Sequence, residues 1–81
     1  MPTASLSPEQ AFGEVLRELR VDHQLSQEEL ALACDRHRTY ISLLERGENS
    51  PSLRTLLRLA TALDVMPSEI LRRVEARLAG R

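Results

Sequence analysis

Between Arg36 and Arg58 the chain carries five arginines (Arg36, Arg38, Arg46, Arg54 and Arg58) against two acids, Glu45 and Glu48. A guanidinium is a planar fork of donors that suits bidentate contact with a phosphate or with guanine. Arg38, Thr39, Ser42, Leu43 and Arg46 recur at steps of three and four, so on a helix they share one side, while Ile41 and Leu44 turn the other way. That side is equipped to recognise anions and hydrogen-bonding edges. A solvated surface of mixed charge is the other reading of the same pattern.

Catalytic chemistry has little to work with. The sequence holds no Ser-His-Asp, metal-binding or phosphate-loop constellation, so no enzyme, no cofactor and no small-molecule ligand are expected. The two histidines, His23 and His37, are isolated and read as surface or capping residues rather than metal ligands. The single cysteine, Cys34, excludes a disulfide framework and every multi-cysteine metal site. It reads as a small buried filler, with a redox sensor as the alternative.

The elements that must position the arginine-bearing side follow from composition and spacing. With 81 residues, 42% hydrophobic but only 2% aromatic, the chain builds one domain whose core is Leu, Ala, Val and Ile. Leu and Ala favour helices and strand formers are scarce, so the fold class is all-α, a compact five-helix bundle. Residues 1–6 are small and polar and are expected to be mobile. Ser7-Pro8-Glu9-Gln10 combines a cap, a first-turn proline and a capping box, and starts a helix from Pro8 to Asp22. Ser26 and Glu29 form a second capping box, flanked by Leu25 and Leu30 at the staple positions, for a helix from Gln27 to Cys34. Asp35-Arg36-His37 makes a tight turn into a third helix, Arg38 to Arg46, which Gly47 ends. Ser52 caps a fourth helix, Leu53 to Leu63, whose Leu53, Leu56, Leu57, Leu59, Ala60 and Leu63 form a broad apolar face. Pro67 starts the fifth, which Ile70, Leu71, Val74 and Leu78 carry to Ala79.

Net charge is -1 and the pI about 6.1, so bulk charge selects no partner. Its distribution does more. Residues 9–29 hold six acids against Arg17 and Arg20, opposite in sign to the stretch that follows. No secretory signal or membrane-length apolar run is present, and a cytoplasmic protein with no membrane partner is expected.

Two short helices joined by a three-residue turn, the second offering polar side chains outward, match the helix-turn-helix plan. From Phe12 to Leu71 the chain resembles the Cro/repressor-type (XRE) helix-turn-helix, or lambda-repressor-like, family. The resemblance rests on LREL at 16–19, LSQEELA at 25–31, RTYIS at 38–42, LERGENSPSL at 44–53 and TLLRLATALDV at 55–65. RTYIS also resembles, more narrowly, controller proteins of restriction–modification systems. The resemblance implies sequence-specific binding of double-stranded DNA, with base contacts from Arg38, Thr39 and Leu43. Gln27, His37, Tyr40, Ser42, Arg46, Asn49 and Ser52 would face the DNA backbone, and Arg20 with Glu45 would form a structural ion pair. Alternatives stay open at three positions: Leu43 as core, Tyr40 packed with its hydroxyl wet, and Arg46 neutralising the carbonyl end of its helix.

The turn and the start of the fifth helix depart from the family pattern. The turn usually runs Gly, aliphatic residue, Ser/Thr cap, whereas Arg36 stands here at the packing position and His37 at the cap; Met66 replaces a capping Ser or Thr before Pro67. The expectation is a less stable turn and an arginine whose stem packs while its charge reaches solvent. Leu71, Val74 and Leu78 form a stripe suited to a homodimer through the fifth helix with part of the fourth, giving two recognition helices on a near-palindromic operator. Depending on where that operator lies, RNA polymerase is blocked or recruited, and control falls to protein concentration and autoregulation. The alternative function is a protein-interaction or antitoxin-like subunit that has kept the fold.

Overall fold

The computed structural model describes residues 5–80; residues 1–4 of the segment expected to be mobile lie outside them. Of that segment, Leu6 packs against the core. The described residues form five α-helices and no strand: α1 Pro8–Asp22, α2 Gln27–Ala33, α3 Arg38–Glu45, α4 Leu53–Ala62 and α5 Pro67–Ala79.

Local chemistry sets the boundaries. Ser7 Oγ accepts from the Gln10 amide at 3.0 Å while Gln10 Oε1 accepts from the Ser7 amide at 2.9 Å, closing the box that starts α1. Ser26 and Glu29 do the same for α2, at 3.0 and 2.8 Å. The helices expected to end at Cys34, Arg46 and Leu63 each stop one residue earlier, because those residues serve as C-caps. Each is followed by left-handed backbone, at Asp35 (φ 57°), Gly47 (φ 74°) and Asp64 (φ 54°). Gln24 takes the same conformation (φ 58°) after α1.

The core is a single cluster in which Leu16, Leu30, Ile41, Leu44, Leu59, Leu63 and Ile70 are fully buried. α1 runs between α3 and α5, α2 lies against α3 and α4, and α4 closes on α5. Gly13 brings α1 onto the last turn of α3. A Cβ there would lie 2.5 Å from the Leu44 carbonyl oxygen and 2.6 Å from that of Glu45. The broad apolar face expected of α4 is divided: Leu56, Leu59, Ala60 and Leu63 are buried, but Leu53 is 71% exposed and Leu57 46%. Leu53 and Leu57 are one turn apart, on a side of α4 left partly in water.

Candidate nucleic-acid interface

The recognition-type helix α3 is fixed from behind and open in front. Ile41 and Leu44 are fully buried, whereas Arg38 and Thr39 are exposed at the helix N-terminus and Ser42 and Leu43 are half-buried beside them. His37, 3.2 Å from the Thr39 amide, caps the helix through Nδ1 despite being a less usual capping residue.

A continuous hydrogen-bonded chain ties this front to the rest of the fold. Arg20 grips Glu45 with two donors, Nε to Oε2 at 2.5 Å and Nη2 to Oε1 at 3.1 Å, and its third nitrogen donates to the Leu25 carbonyl at 2.8 Å. The two side chains are only 12% and 4% exposed. Glu45 Oε1 also accepts from Gln27 Nε2 at 3.0 Å, and Gln27 Oε1 accepts from Arg38 Nη1 at 3.2 Å. One buried carboxylate thereby links α1, the start of α2 and the start and end of α3. The side chain of Gln27, assigned by resemblance to the DNA backbone, is engaged within the protein at both ends of its amide, by Glu45 and by Arg38.

The unusual residues of the turn make contacts of their own. Asp35 takes the left-handed step. The Arg36 guanidinium stacks 4.4 Å above the centre of the Tyr40 ring and donates to Thr55 Oγ1 at 3.1 Å. Its charge thus lies over an aromatic face and is bonded to α4, so the packing position is filled by a cation–π contact in place of an aliphatic chain. Thr55, 3% exposed, also accepts from Ser52 Oγ at 3.0 Å, and Ser52 Oγ caps α4 through the Thr55 amide at 3.1 Å. No sequence signal marks Thr55 or Gly13 as parts of this scaffold.

Other candidate residues have partners of their own. Arg46 Nε donates to the Ser42 carbonyl at 3.3 Å and its guanidinium lies 3.4 Å from Glu48, so it serves the carbonyl end of α3. Asn49 Oδ1 accepts from the Ser50 amide at 2.8 Å, bracing the loop before α4. Cys34 is buried at 1% exposure, and burial pushes its thiol up from the ordinary range against the opposing pull of Arg58 and Arg36.

Of the stripe expected on α5, Leu71 (48% exposed) and Leu78 (38%) are on the surface, but Val74 (8%) belongs to the core. Val74 reaches outward only as part of a groove of about 210 Å³ that Pro8, Phe12, Pro51, Leu56 and Leu71 also line. This division has a simple cause. α5 packs along α1 and α4, which covers one side of the stripe and leaves the other bare.

Comparison with known proteins agrees with this architecture. The sequence model of the helix-turn-helix family matches residues 16–70, more than half of the chain. The chain is 44% identical over 61 residues to control protein C.BamHI of Bacillus amyloliquefaciens, covering 74% of this chain and 75% of that protein. Among solved structures, the restriction-modification controller protein C.AhdI from Aeromonas hydrophila is 47% identical with a TM-score of 0.74, covering 76% of this chain and 94% of that one. The clp gene regulator ClgR from Corynebacterium glutamicum superposes over 94% of this chain and 81% of its own, at 29% identity and a TM-score of 0.89. A helix-turn-helix with an exposed, braced recognition helix, matched to this family over most of its length, makes the chain a DNA-binding transcription regulator of the XRE-type helix-turn-helix family.

Proposed function

We propose that the protein binds a near-palindromic operator as a homodimer and regulates transcription from it. Residues 27–46 form the reading unit and α5 the dimerisation helix. The observation that carries the reading is the exposed N-terminus of α3, where Arg38 and Thr39 project while Ile41 and Leu44 hold the helix from behind. The major groove admits one helix, and side chains at its N-terminal end are those that reach base edges. Arg38 is assigned to guanine O6 and N7, and Thr39 and Leu43 to neighbouring bases. Gln27, His37, Tyr40, Ser42, Arg46, Asn49 and Ser52 are assigned to the backbone, where the Gln27, Arg46 and Asn49 contacts within the free protein must be exchanged or shared.

Exposed apolar surface supports the dimer. Leu71 and Leu78 on α5 and Leu53 and Leu57 on α4 remain in water in a single chain. Two copies joined there would set their α3 helices in successive major grooves, about 34 Å apart. The likeness to restriction–modification control proteins supports a regulator that blocks or recruits RNA polymerase according to where its operator lies.

Selection of bound sequences from a random duplex pool tests the reading. A two-fold motif with a guanine in each half is expected, and Arg38→Ala should lose the guanine preference at a cost of about 1–3 kcal/mol per half-site. An Arg38→Ala protein with an unchanged motif would remove the base assignment. Failure of the wild type to shift any duplex at low salt would remove the DNA-binding role.

A further inference from the structure

The cap of α3 also decides which way a base-reading hydroxyl faces. His37 Nδ1 lies 3.2 Å from the Thr39 amide nitrogen and 3.1 Å from Thr39 Oγ1. An amide N–H can only donate, so Nδ1 accepts and is unprotonated. The ring hydrogen of the neutral imidazole is then on Nε2. The one lone pair of Nδ1 also faces the Thr39 hydroxyl at 3.1 Å, and a hydroxyl hydrogen turned toward the ring shares it with the amide in a three-centre bond, where an oxygen lone pair turned to it would be repelled. With its hydrogen so turned, Thr39 Oγ1 has lone pairs alone to offer outside the protein.

We infer that His37 is a positioning residue for specificity, holding the Thr39 hydroxyl as a hydrogen-bond acceptor. In the major groove that acceptor selects a base pair through an exocyclic amine, N6 of adenine or N4 of cytosine, and not through a carbonyl oxygen of guanine or thymine. The inference rests on the DNA-binding reading of α3 and adds to it the polarity of one contact. Thr39 is exposed and Ile41 beneath it is fully buried, so the hydroxyl and its cap are held on a fixed backbone.

The test begins with the site that the full chain selects from a random duplex pool. The pair whose preference disappears in Thr39→Val, which keeps the His37 cap, is the pair Thr39 reads. At that pair, deleting the amine (purine for adenine, or 2-pyrimidinone for cytosine) should weaken the wild type about 3- to 10-fold, as one neutral hydrogen bond warrants. Deleting the carbonyl oxygen of the same pair should change nothing, and Thr39→Val should be indifferent to both. His37→Asp, a cap that can only accept, should keep the amine penalty relative to its own affinity for the unmodified site, and His37→Ala should lose it. A larger penalty for the carbonyl deletion, an amine penalty that survives in His37→Ala, or a Thr39→Val protein with the wild-type preference at every position overturns the inference. Should His37→Ala not fold, the comparison of wild type, Thr39→Val and His37→Asp decides it alone. A pool from which the wild type enriches nothing overturns the DNA-binding reading, and this inference with it.

Discussion

Glu45 has its two oxygens taken up by Arg20 and Gln27 in a place almost closed to water. A buried ion pair contributes little over a well-packed apolar pair, but removing one partner leaves the other charged and uncompensated. Arg20→Ala should therefore cost about 3 kcal/mol in urea unfolding, and a loss under about 0.5 kcal/mol, the range of ordinary surface substitutions, would show that the pair is structurally idle. The same substitution should weaken DNA binding in the folded protein, because Gln27 and Arg38 are held through Glu45. Cys34 gives a second prediction at this scale. Its thiol is pushed up by burial, so native protein should react slowly with a thiol reagent at neutral pH and rapidly once unfolded. Because the folded thiol holds its proton more tightly than the unfolded one, its contribution to stability is complete below the ordinary thiol pKa. That contribution is lost as pH rises through the higher value in the fold. Fast labelling of the native protein would contradict the burial.

At the scale of elements, the helices differ in how well their ends are satisfied. α1 and α2 begin with complete capping boxes, α3 with the His37 ring and α4 with Ser52, while α5 begins at Met66 with no side-chain cap. Met66 is 69% exposed and has extended backbone (φ -72°, ψ 139°), the conformation a capping serine needs. Met66→Ser should stabilise the protein by about 1 kcal/mol, which for a domain of this size is a rise in Tm of roughly 4–8 °C. An unchanged Tm would mean that the start of α5 is already satisfied by solvent. Helix bounds and caps were nearly all legible because a capping box, a first-turn proline or a C-terminal glycine acts within four residues of itself. The early ends of α2, α3 and α4 were less so. Asp35 could be assigned to the turn, but whether Cys34 still counted as helix depended on the dihedral angles that followed it.

For the whole molecule, the decisive quantity is how much apolar surface one copy leaves in water. Leu53, Leu57, Leu71 and Leu78 are all more than a third exposed. Leu71→Glu should leave the helical content and fold intact, since the side chain is outside the core, yet convert a dimer into a monomer by sedimentation at tens of micromolar. Operator affinity should fall with it, because half a site supplies too few contacts. A wild-type protein that sediments as a monomer under those conditions would rule out α5 as the dimerisation helix.

The sequence by itself determined the all-α class, the start of every helix, the turn between α2 and α3, and the side of α3 that faces outward. These follow from chemistry acting over a few residues and from the helical period. The tertiary structure alone decided that Val74 is core while Leu53 is not, and that Gly13 is the point where α1 meets α3. It alone also routed Arg36 to Tyr40 and Thr55, and Arg38 through Gln27 to Glu45. Those outcomes depend on which helices lie against one another. A leucine stripe, a glycine or an arginine carries no record of the surface that will be brought to meet it.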